Sequence, residues 1–400
     1  MAEKAEFKRV LSEILIMALL LGSIAGLWFI NKVGPWQSWK DLKSPYLSWT
    51  EDPSTTMTIS FQTPENISTI IQYGLNRSYI QSISTINTKW HSVTLHNLKS
   101  SSTYYYRISS SNINYSYMNI DYYFTTAPTP NPTTPASFRF AVYGDNRPGV
   151  FGRCYHDILV KSMINYHPDF VLNVGDIVPA ASGNANGQWD RLFYEWRYLS
   201  PYTPIMISMG NHEFYEGANP DYGAYYLQTF HFPGNEQYYS FNYSNAHFIS
   251  LNLSIDEHRV LIGSPEYSWL LNDLQAANSS PEIDWIIVFF HVPLYSSGGH
   301  GCNENLIQDL QYIFDHSRVD LVLQGHDHHY ERIKVANLTY LVLGGGGAEY
   351  EAILSTNSWS QHTEIGLSFG LFEINGPRLT MQAIRPDGYM FDSLTLIKNS

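Results

Sequence analysis

An uncharged, apolar run opens the pattern of hydrophobic and polar positions along this chain. It extends over residues 14–30, and Val10 and Leu11 lengthen it at its start. This approaches the length at which a helix spans a bilayer, so residues 10–30 are predicted to form one transmembrane helix. A cleaved signal peptide is the alternative, because small residues at 23–25 have the spacing of a cleavage site.

Charge beside this run predicts its orientation. Three basic residues precede it: Lys4, Lys8 and Arg9. Because positive charge favours the cytoplasmic side, residues 1–9 are expected in the cytoplasm and the chain after the linker 31–44 outside, at the cell surface. Seven Asn-x-Ser/Thr glycosylation sites agree with this topology: Asn66, Asn76, Asn114, Asn242, Asn252, Asn278 and Asn337.

A strand-rich domain is predicted over residues 45–127. Apolar and polar positions alternate there, and β-branched and aromatic residues are frequent, as at 56–61, 92–95 and 104–108. Short strands at close spacing indicate an antiparallel β-sandwich. The segment gathers no catalytic side chains, and a Pro-rich linker over 128–137 marks its end.

Residues 138–400 have the pattern of an α/β domain. Helical stretches separate short apolar strands, and each strand runs into a polar loop. The predicted strands are 138–143, 170–174, 205–208, 285–290 and 319–323. In α/β folds, ligands gather beyond the strand ends, so these loops are the expected site.

Composition narrows the function. A chain of 400 residues with 44% hydrophobic content can form two soluble domains. The net charge of -13 leaves no basic footprint for nucleic acid, so we expect no nucleic-acid partner. The negative charge of a phosphate group would have to be balanced within the binding site itself, and bound metal ions can supply the positive charge. Two cysteines, Cys154 and Cys302, exclude a disulfide framework and a Cys-rich zinc module, although they could form one bridge.

Five predicted strand ends carry side chains of the metal-ligand type. They are Asp145, Asp176, Asn211 with His212, His291, and His326 with His328. Each motif alone is weak, but five of them after apolar strands indicate one site. Oxygen and imidazole ligands without thiolate suit Fe, Mn, Zn or Co. Two ions sharing one bridging carboxylate favour in-line displacement at phosphorus.

The order of these motifs resembles a known family. The succession GD, GD, GNH(D/E), H, GHxH resembles the calcineurin-like metallophosphoesterases, and GHDHHYER at 325–332 resembles their purple acid phosphatase branch. WTEDPSTTMTISF, HSVTLHNL, STYYYRISS and FTTAP are similar to that branch's fibronectin-III-like N-terminal domain, and LVLGGGGAEYE at 341–351 to its late Gly-rich loop. The implied fold is an α/β metallophosphoesterase sandwich of two mixed β-sheets flanked by helices, after an all-β fibronectin-III-like sandwich.

The resemblance implies a role for each site residue. Asp145, Asp176 and His328 would hold the first of two metal ions (Fe, Mn or Zn). Asp176 as the bridge, Asn211, His291 and His326 would hold the second. His212 would contact the substrate phosphate or the leaving oxygen. His300, on a Ser-Gly-Gly loop, is the candidate general acid, with an idle surface histidine as the alternative.

One departure from the family pattern concerns the first ion. Pro179 stands where the purple enzymes have a tyrosine ligand, so neither purple colour nor a tightly held ferric ion is expected. Other branches have a histidine two residues after the first aspartate, where this chain has Arg147. The first site is therefore expected to be weaker, and Arg147 is a candidate to bind substrate phosphate, with a solvated arginine as the alternative.

The expected activity is hydrolysis of small phosphate monoesters by metal-activated hydroxide, as in an acid phosphatase. Two alternatives stay open: a phosphodiesterase or nucleotide pyrophosphatase, and a catalytically inactive surface protein that binds partners.

Overall fold

The computed structural model describes most of the chain after residue 43. The described residues are 44–111, 115, 117–131, 136–147, 155–179, 185–214, 221–253, 262–355 and 357–398. The predicted transmembrane helix 10–30 and Cys154 lie outside them, so the anchor remains a prediction and the bridge between Cys154 and Cys302 an open alternative. None of the helices within these ranges combines the length and apolar character that crossing a membrane requires.

The N-terminal domain is an antiparallel β-sandwich of two sheets. One sheet has the order β1-β2-β5, from β1 (Tyr46–Ser48), β2 (Met57–Ile67) and β5 (Thr88–Leu95). The other has the order β4-β3-β6-β7, from β3 (Ile70–Gly74), β4 (Gln81–Ser84), β6 (Thr103–Ser109) and β7 (Tyr122–Thr125). Buried and exposed positions alternate along β6, as expected of a sheet with one face in the core.

The second domain contains two mixed sheets. The first has six strands in the order β10-β9-β8-β18-β19-β20. Its strands are β8 (Ser137–Tyr143), β9 (Phe170–Asn173), β10 (Ile205–Ile207), β18 (Phe369–Asn375), β19 (Arg378–Ile384) and β20 (Met390–Ile397). Strands β8, β9 and β10 run parallel, and β18 joins β8 antiparallel.

The second sheet has seven strands in the order β11-β12-β13-β14-β16-β15-β17. They are β11 (Tyr239–Tyr243), β12 (Ala246–Ser250), β13 (Trp285–Phe289), β14 (Leu321–Gln324), β15 (Tyr330–Val335), β16 (Leu338–Leu343) and β17 (Ser360–Glu364). Strands β12, β13, β14 and β16 are parallel. The two mixed sheets confirm the fold class predicted for this region.

Helices connect and flank these strands. They are α1 (Tyr155–Ile164), α2 (Ala185–Trp196), α3 (Asn211–Phe214), α4 (Asp221–Thr229), α5 (Pro265–Ser279), α6 (Glu304–Leu306) and α7 (Tyr312–His316), with a π-helical turn at Ile307–Gln311 between the last two. Ser264 caps α5 by accepting a hydrogen bond from the backbone N–H of Tyr267, and Pro265 opens that helix.

The parallel strands are apolar without interruption because both of their faces are covered. Every residue of β9, β13 and β14 is buried. Between the two sheets the core is aromatic: the Phe140 ring of the first sheet lies 5.3 Å from the Phe248 ring of the second, between centroids. This packing fixes the strand ends from which the polar loops leave.

The sandwich packs firmly against the second domain. The Tyr46 hydroxyl donates to the Thr229 carbonyl at 2.6 Å and accepts from the His231 N–H at 2.9 Å. The buried Trp49 indole lies 5.6 Å from the Phe170 ring, measured between centroids. The sandwich therefore shares its core with the sheet that carries the first polar loops.

Candidate metal centre

The polar loops meet because five parallel strands of the two sheets end in the same region. Asp145 follows β8, Asp176 follows β9, and His326 follows β14. All three have left-handed backbones, with φ of 59°, 54° and 71°. Non-glycine residues adopt this conformation at an energetic cost, and such strain concentrates at functional sites. The turns bring the three side chains together with Asn211 and His291.

One group of donors surrounds His291. Its Nε2 lies 3.2 Å from Asp176 Oδ1, 3.0 Å from Asn211 Oδ1 and 3.2 Å from His326 Nδ1. The ligand atoms of Asp176, His291 and His326 all lie within 4.8 Å of one another. His291 Nδ1 is 2.8 Å from the Val174 carbonyl, which directs Nε2 at the group. These four side chains could hold one metal ion.

A second group consists of Asp145 and His328, beside Asp176. Asp145 Oδ1 and His328 Nε2 are 3.5 Å apart. Both atoms are buried, and neither has a hydrogen-bond partner within the described part of the chain. His328 Nδ1 lies 2.5 Å from the Glu349 carbonyl, so Nε2 keeps its lone pair. Two buried lone pairs facing one gap suit a cation.

The electrostatics of the site favour neutral imidazoles at two positions. Burial and the charge of His291 hold the pKa of His326 well below its usual range. Burial and Arg147 lower the pKa of His328 to about 4. Burial lowers the pKa of His291 as well, but the Asp176 and Asp145 carboxylates outweigh burial and raise it to about 9. Because metal ligands must be unprotonated, His326 and His328 are ready to bind and His291 must release a proton.

Glu213 supports these loops, a role that sequence reasoning missed. Its carboxylate accepts hydrogen bonds from four backbone N–H groups, at 2.8 to 3.3 Å: those of Asp176, Ile177, Val178 and Gly210. The residue is fully buried. The GNHE motif could have indicated this role. A carboxylate two residues after the ligand Asn211 is close enough to accept hydrogen bonds from backbone N–H groups of its own loop.

The two predicted catalytic histidines lie beside the donors. The His212 N–H donates to Asp176 Oδ1 at 2.9 Å, and its Nε2 is 3.7 Å from Asp176 Oδ2. The His300 ring lies 3.9 Å from the His326 ring, between centroids, and the side chain is 50% exposed. His212 therefore faces the bridging position, and His300 lies at the rim.

Two acidic residues beside His300 were not predicted. Glu351 Oε1 lies 3.7 Å from His300 Nε2, and this carboxylate raises the pKa of His300. Asp327 Oδ1 accepts a 2.9 Å hydrogen bond from the His300 backbone N–H. His300, Asp327 and Glu351 form a cluster of their own. No sequence spacing links Glu351 to His300, since the contact depends on the late Gly-rich loop.

Arg147 is mostly buried and pairs with Asp176. Its Nη2 lies 2.6 Å from Asp176 Oδ2, and its side chain is 19% exposed. Burial raises the pKa of Asp176, but His291 and Arg147 outweigh burial and hold it well below its usual range. The expected solvated alternative is therefore wrong. Pro179, on the same loop as Asp176, offers no side-chain donor.

The residues fit a pair of metal ions. Two carboxylates, one amide oxygen and three imidazoles converge without a thiolate, which suits Fe, Mn or Zn. The unpartnered Asp145 Oδ1 and His328 Nε2 give the first position its own donors. The two groups adjoin, since Asp145 Oδ2 accepts the His326 backbone N–H at 3.0 Å, and Asp176 is the carboxylate that would bridge them.

Comparison with known proteins places both domains. Residues 139–330 match the family described as calcineurin-like phosphoesterase, and residues 42–126 match the purple acid phosphatase N-terminal domain. Purple acid phosphatase 15 of Arabidopsis thaliana is 29% identical over 64% of this chain and 53% of its own length. The Fe(3+)-Zn(2+) purple acid phosphatase 12 of the same plant is 28% identical over 64% and 55%.

A solved structure has the same fold. The purple acid phosphatase PPD1 from yellow lupin (Lupinus luteus) seeds superimposes with a TM-score of 0.74 at 20% identity, covering 89% of this chain and 74% of that one. The chain spans about half the length of the curated relatives it matches. The two family matches give the chain a calcineurin-like phosphoesterase domain over residues 139–330, preceded over residues 42–126 by a domain of the type found at the N-terminus of purple acid phosphatases.

Proposed function

We propose that this protein hydrolyses phosphate monoesters with two metal ions, in the manner of an acid phosphatase. The observation that carries the proposal is the meeting of six donor side chains: Asp176, Asn211, His291 and His326 form one group, and Asp145, which accepts the His326 backbone N–H, forms the other with His328. Within the described residues, Asp145 Oδ1 and His328 Nε2 are buried without a hydrogen-bond partner. Curated relatives named purple acid phosphatases support it. The acidic net charge of the chain is compatible with a phosphate ester because the ions supply local positive charge.

Six side chains would hold the ions. Asp145, Asp176 and His328 would hold the first; Asp176, Asn211, His291 and His326 the second. When bound, such a pair supplies an activated water and neutralises charge on the phosphoryl oxygens. We propose Fe, Mn or Zn, since one relative is named for Fe(3+) and Zn(2+). Without a phenolate at position 179, the protein should not be purple.

His212 and His300 would act on the substrate. His212 lies next to the bridging Asp176, where its imidazole would donate to a phosphate oxygen. His300 lies at the exposed rim, where an ester's leaving group would point, and Glu351 keeps its imidazole protonated to a higher pH. A protonated His300 can donate its Nε2 proton to the departing oxygen, as a general acid. Glu351 would then orient the ring.

The N-terminal domain would have an architectural role. We propose that it is a fibronectin-III-like sandwich whose hydrogen bonds from Tyr46 and Tyr106 brace the second domain. We also propose that residues 10–30 anchor the chain in a membrane with the site outside the cell, as the flanking charges indicate.

Hydrolysis of matched aryl phosphate monoester and diester tests the function. The purified full chain would be stripped of metal, reloaded with Mn, Fe or Zn, and compared with Asp176→Asn. We expect a metal-dependent monoesterase rate that falls at least about 100-fold in the variant, since a bridging ligand matters at least as much as an outer-shell partner.

The other outcomes separate the alternatives. A faster rate with the diester would assign a phosphodiesterase, to be followed with nucleotide pyrophosphates. Tight metal binding by the folded chain without turnover of any ester would reject the enzyme and favour a surface binding protein.

A further inference from the structure

The two oxygens of the Asp176 carboxylate have different surroundings. Oδ1 lies 3.2 Å from His291 Nε2 and accepts the His212 N–H at 2.9 Å. Oδ2 lies 2.6 Å from Arg147 Nη2. Oδ1 therefore faces the His291 imidazole, whereas Oδ2 faces the permanently charged guanidinium of Arg147, with the His212 imidazole farther away at 3.7 Å.

Arg147 is held at this place by a surplus of negative charge. Its guanidinium pairs with the buried carboxylate of Asp176 and also interacts electrostatically with Asp145. The guanidinium meets Asp176 through Nη2, and its Nε is buried without a hydrogen-bond partner within the described residues. This is a single hydrogen bond and not the bidentate arrangement that makes Arg–carboxylate pairs strong. Arg147 is therefore held mainly by electrostatic attraction, and its hydrogen-bonding groups are incompletely used.

Because Oδ1 lies with the donors of the second ion, Oδ2 is the oxygen that Asp176 would offer to the first ion. The other donors of that ion, Asp145 Oδ1 and His328 Nε2, are 3.5 Å apart and have no hydrogen-bond partner within the described residues. A guanidinium 2.6 Å from Asp176 Oδ2 and a metal ion on that oxygen would be two cations within a few ångströms, in a site with little water to screen them. They exclude each other.

We propose that Arg147 competes with the first metal ion for Asp176 Oδ2, so that the two ions bind with very different affinities. The group of Asp176 Oδ1, Asn211, His291 and His326 is the tight site. The group of Asp145, His328 and Asp176 Oδ2 is the weak site, and Arg147 must leave Asp176 before it fills. Once displaced, the guanidinium is free to pair with a phosphate. This inference rests on the metal centre of the proposed function, and it adds the order in which the two metal sites fill.

Metal titration without substrate tests the competition. The full chain would be stripped with a chelator and titrated with Mn²⁺, with free ion followed by electron paramagnetic resonance and bound ion by elemental analysis. We expect one tight and one weak site in the wild type, separated by about 100-fold. Arg147→Met should strengthen the weak site by about tenfold or more and leave the tight site unchanged.

Three further variants make the result specific. Arg147→Lys keeps a cation and should leave the weak site weak. Asp145→Asn should weaken only the weak site. Arg139→Met removes an exposed arginine paired with Glu373 on the surface and should change neither affinity. If Arg147→Met does not fold, Arg147→Gln replaces it, with thermal unfolding as the check.

Two results would overturn the inference: two sites of equal affinity in the wild type, or a weak site that Arg147→Met leaves unchanged or weakens. The readout is independent of turnover. A chain that fills its sites in the expected order and hydrolyses no ester keeps the inference and rejects the proposed function, and a chain with two equal sites and high activity does the reverse.

Discussion

The buried carboxylate of Glu213 accepts the backbone N–H of Asp176 at 2.9 Å through Oε2. The same oxygen accepts the Gly210 N–H at 2.8 Å. Glu213 thus joins the loop after β9 to the loop after β10, and it holds the bridging carboxylate in its left-handed turn without touching a metal ion. Outer partners of this kind set the geometry of metal ligands.

Replacing Glu213 by glutamine should destabilise the fold. Burial and the Asp176 charge raise the pKa of Glu213 to about 7, so at pH 8 the carboxylate is mostly ionised and accepts all four N–H groups. The side-chain NH2 of glutamine would face backbone N–H groups that Glu213 now accepts, and two donors cannot form a hydrogen bond. We expect the free energy of unfolding to fall by about 2 to 3 kcal/mol, measured by urea denaturation. Glu282→Gln, at an exposed position, is the control, and equal midpoints for both variants would contradict this role.

His300→Gln should affect substrates according to their leaving group. A general acid matters most when the leaving oxygen is strongly basic, so the rate with alkyl phosphates should fall about 100-fold or more and the rate with nitrophenyl phosphate much less. The wild-type rate should decline as pH rises through the raised pKa of His300, since the acid form is lost, and the variant should lack that decline. The check is a pH profile of kcat with both esters.

His316→Gln, on an exposed helix end, provides the comparison for that profile. An equal loss for alkyl and nitrophenyl esters in His300→Gln would show that His300 positions the substrate and does not donate a proton.

Tyr46→Phe should weaken the whole described fold and not the sandwich alone. The change leaves the Thr229 carbonyl and the His231 N–H buried without their partner. We expect a loss of about 2 kcal/mol in a single cooperative transition, observed by calorimetry. Tyr123→Phe, at an exposed ring, should cost much less. Two separate transitions would instead mean that the domains unfold independently.

His91 should make the stability of the sandwich depend on pH. Burial lowers its pKa to about 4, against about 6.5 in an unfolded chain. Between these values the unfolded state binds more protons. The free energy of unfolding should therefore fall as pH is lowered from 6.5 to 4, by about 2 kcal/mol after allowance for solvent screening. His91→Gln should flatten this slope and the exposed His96→Gln should not, when denaturation midpoints are compared across that range.

The sequence predicted what depends on local pattern. The strands before Asp145, Asp176 and His291 were predicted within one residue at each end, because apolar runs followed by Gly-Asp or His-x-Pro combine two local signals. The start of α2 at Ala185 has no such local signal, because the asparagine and glycine that follow Ala185 favour a loop.

Contacts between distant loops were not predictable in this way. Glu351 meets His300 and Arg147 meets Asp176 because turns of separate strands converge, and no spacing along the chain encodes such a meeting. Short sequence motifs predicted which residue types form the site. Which of these residues contact each other depends on how the two sheets assemble.

Strand β8, which leads to Asp145, lies between β9 and β18, and Val142 faces Gly370 across that second boundary. During synthesis β9 follows β8 closely, but β18 leaves the ribosome only after the whole second sheet. Until then one edge of β8 is unpaired and able to join a strand of another chain. The first sheet is therefore completed late in translation, and ribosomes stalled before residue 369 should carry nascent chains that chaperones bind.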